Sequence, residues 1–175
     1  MGVLLTSQNV FCQDQTPIGS SISIEVVDYP EITVFSLKKE IGDFSKEIPQ
    51  LIQTSMEELI KKGGKPAGPP ILLYYLENAD LSQPVEKMMV EAAWPVDNDQ
   101  FANATLPKIK AARVMYKGPY QGLNEIYSSI FAWISQNDYK VNYPTREINY
   151  NDPTTTPAED LLTEIIIPIE EKNKE

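Results

Sequence analysis

The residue in this chain best placed for chemistry is a carboxylate inside an apolar strand. Leu161 to Ile169 reads Leu-Leu-Thr-Glu-Ile-Ile-Ile-Pro-Ile, a β-branched run that predicts a buried strand with Glu164 in its middle. An isolated ionised carboxylate in an apolar interior is strongly disfavoured unless a cation pairs with it or it takes up a proton. Either the fold supplies a partner, with Arg113 and Arg146 as the candidates on neighbouring strands, or a ligand does.

A second carboxylate stands at a matching position earlier in the chain. Glu91 opens Glu-Ala-Ala-Trp-Pro-Val as Glu164 opens Glu-Ile-Ile-Ile-Pro-Ile, so Glu-x-x-x-Pro-(Val/Ile) occurs twice. Strand alternation puts Glu91 and Pro95 on one side and Trp94 on the other, towards the helices if Glu91 faces a cleft. Two carboxylates in one cleft would raise the pKa of one of them, as a general base requires. The alternative for Glu91 is a solvated position on an open sheet face.

The composition excludes several kinds of site. The chain has no histidine, which removes Ser-His-Asp and Cys-His catalysis, histidine-ligated metals and histidine-ligated haem. Cys12 is the single cysteine, so an internal disulfide and a Cys/His zinc cluster are also excluded. We expect no cofactor and no metal. Haem held by tyrosine or methionine is a weaker alternative.

Charge narrows the range of partners. With 15 basic and 25 acidic residues the net charge is −10, which repels phosphate backbones and anionic lipid. We therefore expect no direct nucleic-acid partner, and the absence of a run of about 18 apolar residues predicts no membrane span. An acidic protein of this kind is suited to cationic small molecules, although such a surface is usually only solvated.

The ends of the chain are predicted to be tails. Residues 1–21 hold two short apolar groups followed by a Thr/Pro/Gly/Ser-rich stretch, which favours a flexible N-terminal tail. The alternative is the remnant of an export signal, although the basic n-region is missing. A cytoplasmic location is favoured, with an exported or periplasmic one as the alternative. Residues 171–175 are predicted to be a charged C-terminal tail.

Hydrophobic periodicity predicts the order strand, helix, strand, strand twice over. In each half a glycine and then an aromatic residue, Gly42 with Phe44 and Gly118 with Tyr120, stand at the predicted helix start. The predicted helices lie between residues 43 and 62 and between 118 and 137; the predicted strands are 21–27 and 33–38 (one strand bulged at Pro30, or two), 71–76, 87–96, 109–116, 145–150 and 161–169.

This repetition predicts an internal duplication with repeats 22–97 and 106–170 in a single domain, 22–170. The expected fold class is α+β, with duplicated strand–helix–strand–strand modules. They would form a pseudo-two-fold antiparallel sheet with two helices on one face and a cleft between the modules.

Aromatic residues could line such a cleft. Tyr120 at the second helix start is the best-placed candidate, Tyr150 adjoins the last strand, and Tyr74 and Tyr75 must face opposite sides of theirs. Tyr127, in the helix stripe, is predicted to be plain core. Aromatic faces over a carboxylate suit a lipophilic cation, since each ring contributes roughly 0.5–2 kcal/mol of cation–π attraction.

The second half carries motifs with a wider resemblance. Lys117-Gly118-Pro119-Tyr120, the segment Tyr143 to Glu147, Tyr150-Asn151-Asp152-Pro153 and the stretch Pro157 to Ile169 are together typical of one family. On these residues the chain resembles the GyrI-like small-molecule-binding family, also seen as the effector-binding domain of multidrug-sensing bacterial transcription activators. The resemblance covers about residues 22 to 170 and is closer in the second half.

The resemblance implies a hydrophobic, aromatic-lined cleft whose buried glutamate faces ligands, often cationic and aromatic ones. Glu164 occupies that motif position. No helix-turn-helix segment precedes residue 22, which favours a free-standing binding domain with any regulatory protein partner unknown. The residues expected to bind ligand are Glu164, Glu91, Tyr120, Tyr74, Tyr75, Tyr150 and Ile166.

Two functions follow as hypotheses. The first is a protein that binds amphipathic, cationic aromatic molecules as a sensor or by sequestration. The second is a hydrolase of strained electrophilic small molecules, implied by activities reported in the family, in which Glu91, Glu164 and a tyrosine such as Tyr120 activate water. Acidic mimicry of DNA at a partner protein fits the charge but no motif.

Overall fold

A computed structural model describes residues 22–76 and 85–172 of the chain. The predicted N-terminal tail with Cys12, most of the loop after Leu76 and residues 173–175 lie outside the described residues. The described part is α+β, a curled antiparallel sheet with two α-helices. The elements are β1 Glu25–Tyr29, β2 Ile32–Ile41, α1 Phe44–Lys61, β3 Ile71–Tyr75, β4 Met88–Pro95, β5 Ala104–Leu106, β6 Ile109–Lys117, α2 Leu123–Gln136, β7 Tyr139–Val141, β8 Thr145–Asn149 and β9 Leu162–Glu171.

Helix α1 begins where the sequence supplies capping groups. The Asp43 side chain accepts a hydrogen bond from the backbone N–H of Lys46, and Glu47 reaches back to the backbone N–H groups of Gly42 and Asp43. These bonds satisfy donors that the first turn of a helix leaves unpaired. None of the helices in the described residues is long and apolar enough to cross a bilayer.

Both helices pack on the same side of the sheet, which we call the helix face. Helix α2 buries Ile126, Ile130 and Ile134 against strand residues of β6 and β9 such as Val114 and Ile165. Helix α1 packs on β2, β3 and β4 in the same way, with Trp94 donating its indole N–H to Ser55 Oγ at 2.8 Å. The predicted orientation of Trp94 towards the helices is therefore confirmed.

The opposite side of the sheet, which we call the inner face, is also buried. Val34, Ile71, Leu73, Ala93 and Leu106 pack together there, and no helix residue belongs to their cluster. This burial is possible because the sheet curls round on itself.

The strand order is β1-β6-β9-β8-β3-β4-β2-β5, with β7 paired to β9. β1 and β2 follow each other along the chain, and so do β5 and β6. β1 pairs with β6 and β2 pairs with β5, in one continuous register from Glu25 opposite Arg113 to Val34 opposite Ala104. The two ends of the strand order are thereby joined.

The two halves meet where β3 pairs with β8, and their strand orders mirror each other about that seam. Glu91 on β4 lies opposite Leu73 on β3, and Glu164 on β9 lies opposite Ile148 on β8. The two glutamates therefore hold matching positions in the two halves. The duplication itself stays a prediction of the sequence, with which this arrangement agrees.

The differences from the predicted elements are local. The chain around Pro30 forms two strands, β1 and β2, the second of the two alternatives, because β1 pairs with β6 and β2 with β4. Strands β5 and β7, three residues each, are too short to show a period and were not predicted. Strand β9 runs one residue into the predicted C-terminal tail, since Tyr139 on β7 pairs with Glu171.

Candidate ligand-binding site

Three buried glutamates in the sheet each accept hydrogen bonds from tyrosine hydroxyl groups. Glu91, Glu147 and Glu164 are 8%, 7% and 4% exposed. Their hydroxyl donors are Tyr75 for Glu91, Tyr74 and Tyr127 for Glu147, and Tyr29 and Tyr150 for Glu164. The three carboxylates differ in the face they occupy and in the cations near them, and these differences separate their roles.

Glu164 lies on the inner face with partners supplied by the fold. Tyr29 and Tyr150 donate to its two oxygens at 2.6 Å and 2.5 Å, and an Arg113 Nη1 lies 3.8 Å from Oε1. Arg113 also pairs with Glu25 at 3.0 Å. Of the two arginines that the sequence offered as partners, Arg113 is the one within ion-pair distance of Glu164.

The tyrosines around Glu164 are held protonated. Burial, and then the hydrogen bond to Glu164, raise the pKa of Tyr29 far above its ordinary value. The same causes raise the pKa of Tyr150 to about 12. Both hydroxyl groups therefore remain donors to the carboxylate at neutral pH, and Tyr150, which is 47% exposed, places this polar cluster at the solvent margin of the inner face.

Glu91 also lies on the inner face, where the Tyr75 hydroxyl donates to it at 2.6 Å. It is buried, so the solvated alternative is wrong. Strands β3 and β8 separate Glu91 on β4 from Glu164 on β9. Each of the two carboxylates has its own tyrosine donors, Tyr75 for Glu91 and Tyr29 with Tyr150 for Glu164.

Glu147 lies on the helix face, at the seam between the two halves. Tyr74 on β3 donates to its Oε2 at 3.1 Å, and Tyr127 on α2 donates to its Oε1. Tyr74 packs with the cluster under α1, so Glu147 sits between the strands and both helices. In residues 22–76 and 85–172, no lysine or arginine forms an ion pair with Glu147.

Burial raises the pKa of Glu147, and the hydrogen bonds from Tyr127 and Tyr74 oppose part of that rise. Burial, followed by the nearby Glu147 charge, raises the pKa of both tyrosines well above the ordinary value. Tyr120 is 36% exposed. Burial, and then the nearby Glu147 charge, raise the pKa of the Tyr120 hydroxyl. Tyr120 thus stands at the solvent margin of this cluster.

The Glu147 cluster has the chemistry of an incomplete ion pair. A cation that approaches a buried carboxylate stabilises its ionised form, because the attraction between the two charges offsets the cost of desolvation. Tyrosine rings around it can attract the same cation through their faces. Glu164, in contrast, already has Arg113 beside it.

The structure divides the predicted site residues between the two faces. Tyr74 and Tyr75 face opposite sides, as the alternation predicts, with Tyr74 at the Glu147 cluster and Tyr120 at its margin. The inner face holds the other predicted residues: Glu164, Tyr150, Glu91, Tyr75 and Ile166.

Sequence reasoning missed Glu147 and the hydroxyl contact of Tyr127. Glu147 lies inside a segment that carried the family resemblance. Successive residues of a strand point to opposite faces, so Glu147 shares a face with Thr145 and not with Arg146, and this alternation could have placed it on the helix face. Tyr127 packs against the core as predicted, and its hydroxyl also donates to Glu147. Within the part of the chain that the structure describes, no group of three or more acidic or cysteine side chains is arranged to hold a metal ion.

Comparison with known families supplies independent information. The model of the GyrI-like small molecule binding domain matches residues 23–170. No curated protein matches the chain in sequence.

Several solved structures share the fold. The EcmrR C-terminal domain is 23% identical, with 86% of this chain and 99% of that chain covered and a TM-score of 0.70. EcmrR in its complex with DNA is 26% identical at a TM-score of 0.74, covering 87% of this chain and 58% of that longer chain. SAV2435 bound to tetraphenylphosphonium is 18% identical, with 85% and 94% covered and a TM-score of 0.59.

Proposed function

The chain belongs to the GyrI-like small molecule binding domain family, and we propose that it binds lipophilic organic cations on the helix face, with Glu147 as their counter-ion. The observation that carries this proposal is a glutamate that is 7% exposed, held by two tyrosine hydroxyl groups and without a cationic partner in the described residues. A bound cation would supply the missing charge.

The energetics favour a cation that is large and apolar. A small, strongly hydrated ion would lose its own hydration on entering a buried site, which offsets the gain from pairing. A lipophilic cation has less hydration to lose and gains from burying apolar area, at roughly 25 cal/mol per Å². The rings of Tyr74, Tyr127 and Tyr120 would add cation–π attraction.

Access to Glu147 requires movement of the side chains that cover it. Tyr127 is held on helix α2, while Tyr120 lies just before that helix and is already partly exposed. We propose that a ligand enters beside Tyr120 and takes the place of the Tyr127 hydroxyl at the carboxylate. Glu147 would be ionised in the complex and Tyr74 would stay bonded to it.

The relatives support this chemistry without deciding it. SAV2435, whose fold this chain shares, is bound to tetraphenylphosphonium, a lipophilic cation. We infer that domain 22–170 acts as a sensor or a sequestering protein for such molecules. The sequence favoured Glu164 as the counter-ion; this proposal assigns that role to Glu147, because Arg113, which also pairs with Glu25, lies 3.8 Å from Glu164.

The hydrolase hypothesis is not favoured. It needed Glu91 and Glu164 to act on one water molecule, but the two lie on β4 and β9 with different tyrosine partners. Tyr120, the third group of that hypothesis, belongs to the other face of the sheet. Two solved structures described as hydrolases from Listeria innocua share the fold at 13% identity, which shows the fold alone.

A matched pair of ions tests the proposal. Tetraphenylphosphonium and tetraphenylborate have nearly the same shape and opposite charge. Isothermal titration should show binding of the phosphonium with the borate at least about a hundred times weaker, since the borate loses at least the roughly 3 kcal/mol of attraction to the carboxylate. Equal affinity for both ions would show that the site selects for apolar shape alone and would refute a counter-ion role for Glu147.

A further inference from the structure

Thr145 carries a buried hydroxyl group that the fold leaves without a partner. It lies on β8, is 0% exposed and shares the helix face with Glu147, two residues further along the strand. In the described part of the chain its Oγ1 forms no hydrogen bond. A buried hydroxyl without a partner costs free energy, and such groups are few in folded proteins. Thr145 is therefore an unused hydrogen-bonding group beside the Glu147 carboxylate.

The two tyrosines that donate to Glu147 also border Thr145. Tyr74 on β3 lies directly opposite Thr145 in the strand register. Burial is the main cause of the raised pKa of Tyr127, and the Thr145 side chain is near enough to oppose part of that rise, although no hydrogen bond joins the two hydroxyl groups. Since Tyr127 donates to Glu147 Oε1, its hydroxyl lies close to both this carboxylate oxygen and the Thr145 hydroxyl.

The number of protons on the donor decides which of these oxygens can be satisfied. A tyrosine hydroxyl has one proton, and Tyr127 gives it to Glu147, so it has none to donate to Thr145. A threonine hydroxyl can accept through two lone pairs. An ammonium group with at least two N–H bonds, placed where the Tyr127 hydroxyl stands, can donate to Glu147 and to Thr145 together.

We propose that Thr145 makes the helix-face site selective for aromatic amines with a primary or secondary ammonium group, whose N–H groups Glu147 and Thr145 share. This inference rests on the proposed function, in which a cation takes the place of the Tyr127 hydroxyl at Glu147. The second hydrogen bond replaces hydration that such an ammonium loses on burial. A quaternary ion pairs with Glu147 through charge alone and leaves Thr145 as it is.

A series of N-methylated naphthylmethylamines tests the selectivity, because its members share one aromatic body and differ in their N–H groups. When protonated, the N-methyl and N,N-dimethyl members carry two and one N–H groups, and the quaternary N,N,N-trimethyl member carries none. In isothermal titration Thr145→Val should weaken the N-methyl member about ten- to a hundredfold, the loss expected for a hydrogen bond from a charged group. The other two members should change less than about threefold.

Thr163→Val is the matched control. Thr163 is also 0% exposed, but its hydroxyl donates to Asn149 Oδ1 at 3.0 Å. Thermal unfolding should show a loss of stability for Thr163→Val, with the preference among the three amines unchanged. Thr145→Val should be no less stable than the wild type, because it removes a buried hydroxyl that has no partner. Thr145→Ser keeps the hydroxyl and should keep the affinity for the N-methyl member.

A crystal structure of the wild type with the N-methyl member gives a test that needs no variant. The ligand nitrogen should lie about 2.7–3.2 Å from a Glu147 carboxylate oxygen and from Thr145 Oγ1. A nitrogen that contacts Glu147 alone, or equal effects of Thr145→Val on all three members, would overturn the inference. The trimethyl member separates the two proposals, because it depends on Glu147 and not on Thr145. If Glu147→Gln left its affinity unchanged, the cation proposal itself would fail.

Discussion

Replacing Glu147 by glutamine removes the charge of the carboxylate and keeps its shape and one hydrogen-bond acceptor. The structure shows no lysine or arginine paired with Glu147 in the described residues, so the loss of charge affects the ligand directly. A phosphonium centre about 6 Å from the carboxylate, at an effective dielectric of about 20, gains about 3 kcal/mol. Glu147→Gln should therefore weaken tetraphenylphosphonium about a hundredfold.

The assay is isothermal titration at about pH 8.5, where the raised pKa of Glu147 interferes least with ionisation. Glu164→Gln is the control, because that carboxylate already has Arg113 and two tyrosines. It should change the affinity less than about threefold, or about 0.7 kcal/mol. A large loss in Glu164→Gln together with wild-type affinity in Glu147→Gln would refute the assignment and restore the first prediction from the sequence.

Three further predictions follow from the same geometry. Burial raises the pKa of Glu147, and a cation favours the ionised form of its carboxylate, so the affinity for tetraphenylphosphonium should rise with pH until that pKa is passed. Calorimetry in buffers of different ionisation enthalpy should detect the proton released on binding. A pH profile without this rise would contradict the prediction. Tyr127→Phe removes one hydrogen bond that stabilises the carboxylate, so the midpoint of that pH profile should move upward, whereas Tyr139→Phe on β7, which stacks on Trp133, should leave it in place. Ser55→Ala leaves the buried Trp94 indole N–H without its acceptor and should cost about 1–3 kcal/mol in urea unfolding, against less than about 0.5 kcal/mol for the exposed Thr54→Ala.

Much of the fold could be predicted because its elements are long and periodic. The stripe of Ile126, Ile130 and Ile134 marks α2, and the apolar run around Ile165 marks β9. The pairing of β1 with β6 could not be read in this way, since it depends on contacts between residues about eighty positions apart. Short strands such as β5 and β7 carry no periodic signal at all.

The site was harder to predict than the fold. The sequence shows which residues of a strand share a face, but it does not show which side chains from other elements they contact. At Glu164 the fold supplies Arg113 and two tyrosines as partners, and a ligand-binding role there stays a prediction. At Glu147 the described residues supply hydroxyl donors and no ion-paired cation. Only the three-dimensional arrangement shows that Tyr74 and Tyr127, from different halves of the chain, meet at that carboxylate.

The measurement that tests the central claim most directly is a crystal structure of the chain with tetraphenylphosphonium. We expect the cation on the helix face, with the Glu147 carboxylate as its nearest acidic group and with Tyr127 no longer bonded to that carboxylate. A cation bound on the inner face against Glu91 or Glu164, with the Tyr74–Glu147–Tyr127 cluster unchanged, would contradict the proposal.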